Sequence, residues 1–318
     1  MVQPAIGGYF ELELPAPTAP LHPRSLRFQS ARAAFMALLS HKTTIKRVWM
    51  PRYICDCMLA PVNAARKEMH FYSFEDGFSI PENVELGSED LLLYVNYFGV
   101  CSRQADSLLG RFDPTQIVLD CSQAMYATPR ECLATLYSPR KFFGLPDGGL
   151  MLTALPITLP VVQDDSSGAR LRHLISRLST EPEIGYADFQ RAEQSLDDLE
   201  PRRLSILSER LLASVDHDAS RQVRNRNFEY LRAHLDGSNT LTFSGSVDGP
   251  LCYPYLPRKT LRRSRLIQKR IFVPTYWPEV RSRVSKGSFE LDLVDRCLPL
   301  PCDQRYSLTN LDRILDAL

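Results

Sequence analysis

Past residue 45 the chain settles into short apolar runs separated by longer polar stretches. Arg47-Val48-Trp49-Met50 is halted by Pro51, Met69 to Tyr72 forms a second run, and Asp90 to Phe98 a longer third. Gln116-Ile117-Val118-Leu119-Asp120, Ala134 to Tyr137 and Gly149 to Thr153 follow. Runs that are apolar throughout, without the in-and-out alternation of a half-solvated strand, suit strands buried on both faces. The polar stretches between them, clearest at Ser102 to Arg111, suit covering helices. The pattern therefore predicts an α/β fold with a mostly parallel sheet flanked by helices. In such sheets functional groups collect at the carboxyl ends of strands, where Asp120, Ser138 and the loop after Phe98 stand.

The flanks of this region read differently. Pro4, Pro15, Pro17, Pro20 and Pro23 predict an extended arm through residue 23, because proline fixes φ and removes a donor. Ser30 is positioned to cap a helix over Ala31 to Leu39. Residues from Ala169 to Leu235 are charged and helical in pattern. After them a smaller α+β unit is expected: a strand near Leu251 to Tyr255, a basic helix near Thr260 to Arg270, a strand Ile271-Phe272-Val273 and a terminal helix from Leu308 to Leu318. The predicted division is 1–200 for the arm and large α/β domain and 201–318 for the smaller C-terminal domain.

Composition narrows the classes. With 44% hydrophobic and 24% charged residues the chain has the balance of a folded globular protein rather than a disordered one. A net charge of +1 supplies no global attraction for nucleic acid or membrane. No apolar run approaches the roughly 20 residues of a membrane helix, and Met1-Val2-Gln3-Pro4 does not open a secretory signal, so a cytoplasmic protein is expected. The cysteines include a Cys55-x-Cys57 pair and Cys297 and Cys302 around Leu-Pro-Leu-Pro, while the histidines are scattered singly. That favours reduced thiols over a metal centre. The basic run Arg258 to Arg270 reads first as an amphipathic helix with Leu261, Leu266 and Ile267 toward the core. A phosphate-tracking surface and contacts to an anionic substrate are its other readings.

The candidate chemistry lies in Tyr137-Ser138-Pro139-Arg140-Lys141 and the Gly148-Gly149 turn beyond it, read with Asp120-Cys121-Ser122-Gln123 about 20 residues upstream. Pyridoxal 5'-phosphate (PLP) chemistry needs such a pair: a lysine amine to form the Schiff base, and a carboxylate to keep the pyridinium nitrogen protonated. Lys141 could instead be a surface charge beside Arg140, and Asp120 a turn cap. Gln123 could donate to the ring's phenolic oxygen or make a plain loop contact. Pro139 biases Ser138 toward an extended conformation that suits a hydroxyl facing a phosphate. Backbone N–H groups at Ser30-Ala31-Arg32 offer a second phosphate contact, with the Arg32 side chain read as a helix-surface charge. No G-x-x-x-x-G-K-[ST] loop is present.

These motifs resemble the DegT-type family of nucleotide-sugar aminotransferases, within the fold-type-I PLP-dependent transferases. The similar segments are Ile6-Gly7-Gly8-Tyr9-Phe10, Pro51-Arg52-Tyr53-Ile54-Cys55, Val95-Asn96-Tyr97-Phe98-Gly99, Asp120 to Ala124 and Ser138 to Lys141. Ile271 to Pro274 with Tyr276-Trp277-Pro278, and Leu298 to Tyr306, complete the set. The resemblance implies that Lys141 holds PLP, Asp120 pairs with the pyridine nitrogen and Gln123 lies near the ring oxygen. Ser138, with Ser30 and Ala31, would bind the phosphate, and Tyr53 would stack on the ring. It further implies a homodimer and amino transfer from an amino acid, usually glutamate, to a keto-sugar nucleotide.

The chain departs from the pattern by its shortness, by Ser30-Ala31 in place of a Gly-Thr-type turn, and by lacking the G-x-N-x-R segment through which a neighbouring subunit reaches the phosphate. Ser205-Ile206-Leu207-Ser208 stands near its place. An aminotransferase is the leading expectation. A catalytically inactive relative serving as a binding or regulatory subunit is the alternative.

Overall fold

The computed structural model describes residues 6–75, 77–243, 245 and 247–318. Pro4 of the arm lies outside them. Seven strands form the main sheet in the order β1-β7-β6-β5-β4-β2-β3. They are β1 (Leu26–Phe28), β2 (Arg47–Pro51), β3 (Glu68–Tyr72), β4 (Asp90–Val95), β5 (Ile117–Cys121), β6 (Ala134–Tyr137) and β7 (Gly149–Leu152). The β3-β2-β4-β5-β6 block is parallel, and β7 and β1 close one side antiparallel. Every residue of β4, β5 and β6 is buried, as the unbroken apolar runs require. Burying each leucine of Leu91-Leu92-Leu93 contributes about 1.5–3 kcal/mol, which ties the site's frame to the centre of the core.

Helices cover the sheet. α1 (Ala31–His41), α2 (Asp56–Ala64) and α3 (Ser102–Arg111) follow β1, β2 and β4, and four helices, α4 (Ser167–Arg170), α5 (Arg172–Ser179), α6 (Tyr186–Gln194) and α7 (Ile206–Ala213), come after β7. Ser30 caps α1, its Oγ accepting from Ala33 N–H at 3.1 Å. The long α8 (His217–Leu235) leads to a second, two-stranded sheet of β8 (Tyr253–Tyr255) and β9 (Leu298–Leu300), with α9 (Arg263–Gln268), α10 (Phe289–Arg296) and α11 (Leu308–Leu315) around it.

Three expectations are corrected. Ile271 to Val273 forms no strand: Ile271 and Val273 are buried and Phe272 is half exposed, but no segment among the described residues pairs with them. The strand that does pair is β9, hidden in the sequence by Pro299. Pro254 faces Pro299 in register, a pair that must occupy a non-hydrogen-bonded position, where proline's missing N–H costs the ladder nothing. The basic helix is confined to Arg263–Gln268, ending before Arg270 at φ 57°. Leu266 is buried, Leu261 is half-buried and Ile267 stays exposed.

Candidate active site

Parallel register brings the carboxyl ends of β4, β5 and β6 level, with Val95 opposite Asp120 and Cys121 opposite Tyr137. The two motifs found in the sequence therefore open onto one cavity, which Asp120, Gln123, Ser138 and Lys141 all line. Asp120 is buried, and its Oδ1 accepts from Ser122 N–H at 2.8 Å. Gln123 is buried too, and its Oε1 accepts from Phe98 N–H at 2.8 Å. That bond leaves Nε2 buried without a partner. A lone buried amide costs on the order of 1–3 kcal/mol, so its donor is set up for a group that enters the cavity.

The loop after β4 makes this arrangement possible. Phe98 lies in the left-handed region at φ 56°, and Asn96 Oδ1 accepts from Cys101 N–H at 2.9 Å. An ideal Cβ on Gly99, itself at φ 79°, would come within 3.0 Å of the Gln123 carbonyl oxygen. Glycine there lets the loop press against the strand end and aim Phe98 N–H at the glutamine.

Ser138 follows β6 directly and is buried; Pro139, Arg140 and Lys141 form a short 3₁₀ turn after it. Lys141 is exposed toward the cavity and enters none of the ion pairs among the described residues. Its loop is clamped from both sides. The Phe142 carbonyl accepts from Arg224 Nη2 and Gln304 Nε2, each at 2.9 Å, and the Arg224 guanidinium lies 4.6 Å from the Phe142 ring centroid. Farther on, fully buried Asp147 accepts from Ser167 Oγ at 2.5 Å, Ser208 Oγ at 2.5 Å and Arg170 Nη1 at 2.9 Å. Arg170 also pairs with buried Asp164. Ser205, whose hydroxyl donates to Ser167 Oγ at 2.6 Å, and Ser208 thus brace this chain's own glycine turn.

Gly149 brings the amino end of α1 against that turn. An ideal Cβ on it would fall 2.1 Å from the Ser30 carbonyl carbon and 2.3 Å from Ala31 N, so only glycine fits. Ser30 and Ala31 line the cavity, and so does Arg32, which corrects its reading as a helix-surface charge. The Arg32 side chain is only 11% exposed, and its Nη1 pairs with Asp197 Oδ1 at 2.5 Å. Arg140 also lines the cavity and pairs with Glu193. Burial and the neighbouring Arg32 hold the Arg140 guanidinium down at about 10.

Tyr53 is not at the cavity. It is 1% exposed, its ring lying 5.5 Å from Tyr97 and 4.9 Å, edge-on, from Trp277 in an aromatic cluster. Burial pushes its phenol well up. After Pro51 the chain turns so that Tyr53 enters the core, while Cys55 and Cys57 face the cavity together with Trp277, whose backbone is left-handed at φ 61°. The Cys57 thiol is held below its ordinary value by the Cys55 thiol and then by Arg32 and Lys141, against the opposing effect of burial. Its place at the start of α2 works the same way. The sequence had offered a signal for these thiols, the Cys-x-Cys spacing, but none for Leu196, which reaches the cavity from beyond α6.

Larger clefts, of about 270 Å³ around Arg270 and about 630 Å³ beside Trp49 and Phe71, are lined by carboxylates and side-chain amides but by no lysine. The chemistry is concentrated in the small cavity at the strand ends.

No protein-family model matches the sequence, and no curated protein is similar to it in sequence. Solved structures match it in fold. The putative sugar aminotransferase Spr1654 from Streptococcus pneumoniae, in its PMP form, superimposes with a TM-score of 0.65 at 12% identity, over 95% of this chain and 92% of that one. A DegT DnrJ EryC1 StrS aminotransferase from Brucella abortus gives 0.56 at 14% identity, over 92% and 84% of the two chains. The GDP-4-keto-6-deoxy-D-mannose-3-dehydratase of E. coli, with bound hydrated PLP, gives 0.59 at 12% identity, over 92% and 87%. The expected fold-type-I architecture is thereby met along nearly the whole chain.

Proposed function

We propose that the protein is a PLP-dependent aminotransferase that transfers an amino group from an amino acid to a keto-sugar nucleotide or related keto substrate. The observation that carries this reading is the meeting, in one cavity, of a strand-end carboxylate, a buried amide without a partner and a lysine held by a clamped loop. The donor set fits the cofactor group by group. Bound PLP would supply an electron-accepting ring that stabilises negative charge developing on a substrate carbon.

Asp120 would hold the proton on the ring nitrogen, since its Oδ1 is fixed by Ser122 N–H. Gln123 Nε2 would donate to the phenolic oxygen. The Ser138 and Ser30 hydroxyls and the N–H groups at the start of α1 would receive the phosphate. Lys141 would hold the cofactor covalently and, once released, move a proton between the substrate carbon and the cofactor as general base and acid. Trp277, rather than Tyr53, is the aromatic side chain at hand to pack beside the ring.

The neighbours in fold include proteins named as sugar aminotransferases and one named as acting on GDP-4-keto-6-deoxy-D-mannose. They support a keto-sugar nucleotide as the acceptor. Almost complete exposure of Ile6, Tyr9 and Phe10 supports a homodimer in which a second copy covers the arm. The test is to incubate the PLP-loaded protein with ¹⁵N-glutamate and 4-keto-6-deoxy nucleotide sugars and to follow the label by mass spectrometry. Label in the sugar, dependent on Lys141, is the expected result. Loss of water from the sugar without label would replace transamination by dehydration, and no turnover with any donor or acceptor would favour the inactive-relative reading.

A further inference from the structure

The cavity is too small for what it is built to hold. Its volume is about 50 Å³, room for very few waters, whereas ligand pockets run to roughly 300–1,000 Å³. One of its walls comes from the segment after α6. Leu196, 2% exposed, lines the cavity. On either side of it Glu193 pairs with Arg140 and Asp197 with Arg32. Both arginines line the cavity, and Arg140 Nε is buried without a partner. Two guanidiniums close enough to repel each other thus line the cavity together with Ser30 and Ala31, each paired with a carboxylate from the same five-residue stretch.

We propose that Arg32 and Arg140 form a phosphate-monoester subsite supplied by this chain itself, and that residues 193–197 are a strap whose two carboxylates occupy that subsite until a phosphate displaces them. The proposal rests on the PLP reading for the identity of the phosphate, and it names the residues that stand in for the phosphate-binding segment this chain lacks.

The competition has a definite direction. The Asp197 side chain is 69% exposed and that of Glu193 35%, while their arginines are 11% and 14% exposed. Water takes over the released carboxylates and the incoming phosphate keeps the arginines paired, so the exchange shifts the closed-open equilibrium by only about fivefold or less per pair. A phosphate dianion presents several oxygens to two guanidiniums and to the N–H groups of α1 together, and such charge-assisted contacts are the stronger kind. Release of Glu193 and Asp197 withdraws Leu196 from the wall and enlarges the cavity. The strap stays tethered while its carboxylates swing away, because Ser195 Oγ within it accepts from Arg170 Nε at 2.8 Å and, just beyond it, the Glu200 carbonyl accepts from Gln29 Nε2 at 2.7 Å.

Hydrogen exchange of the full-length protein tests this without the cofactor. Inorganic phosphate, compared with chloride at equal ionic strength, should speed exchange across 193–197 severalfold. The double variant Glu193→Gln, Asp197→Asn should exchange fast from the start and ignore phosphate. PLP should associate with the double variant roughly tenfold faster than with wild type, the order expected from removing two such pairs, and Arg140→Gln should weaken PLP more than pyridoxal, which has no phosphate. Exchange at 193–197 unmoved by phosphate, or a double variant as protected as wild type, overturns the proposal. A nucleoside diphosphate that opens the strap where phosphate and PLP do not would overturn it by moving the arginines to the substrate. If phosphate opens the strap but PLP gives no Lys141-dependent absorbance, the cofactor reading fails and the anion subsite stands. If the absorbance forms while the strap stays shut, the subsite alone fails.

Discussion

Replacing Arg170 with methionine would remove the cation on which the lysine loop's far anchor depends. The Asp147 and Asp164 side chains are both fully buried, and Arg170, itself 6% exposed, is the cation paired with each among the described residues. Ser167 and Ser208 would still donate to Asp147, but the two negative charges would face each other without compensation. Removing one partner of a buried pair costs about 3–5 kcal/mol, a large part of the roughly 5–15 kcal/mol that holds a typical protein folded. Denaturant unfolding of Arg170→Met should show that loss in the midpoint. The triple variant Asp147→Asn, Asp164→Asn, Arg170→Met, with no stranded charge, should recover at least half of it. A single variant that loses less than about 1 kcal/mol would place this network with weak surface pairs and refute the claim that it fixes the loop.

Other expectations follow from the same geometry. Gly149→Ala places a methyl 2.1 Å from the Ser30 carbonyl carbon; the resulting backbone shift should cost about 1–3 kcal/mol and weaken PLP binding, and a variant with wild-type stability and affinity would contradict the close approach. Iodoacetamide should label Cys57 ahead of buried Cys101, Cys121, Cys297 and Cys302, whose thiols burial pushes up, and bound PLP should protect it; mass mapping of a partial reaction decides this. Burial lowers the pKa of His22 and of His217 from the ordinary 6.5. The unfolded chain then takes up protons first, so stability should fall as pH drops below about 6.5, by at most about 1.4 kcal/mol per pH unit for each histidine. A urea midpoint unchanged between pH 7.5 and 5.5 would contradict it.

The parallel block was legible because strands buried on both faces cannot alternate: the runs at 90–95, 117–121 and 134–137 could be read directly from their apolar continuity. The meeting of Asp120, Gln123, Ser138 and Lys141 followed from the same fact, since all four stand at or just beyond strand ends. What escaped the reading depends on long-range packing. β9 was masked by a proline whose harmlessness appears only opposite Pro254. Tyr53 and Cys55 differ only in which way the chain turns after β2, and that turn is set by an aromatic cluster drawing on Tyr97 and Trp277, remote in sequence. Arg32 has the spacing of a surface residue, and only the segment around Leu196, more than 150 residues away, makes it part of a cavity.

The account stands or falls on whether this cavity takes up PLP through Lys141. The direct measurement is the near-visible absorbance spectrum of the purified protein titrated with PLP, for wild type and Lys141→Ala. The predicted result is a saturable band in the wild type that survives gel filtration and is missing from the variant. The absence of any such band in both proteins, or an identical band in both, would contradict it.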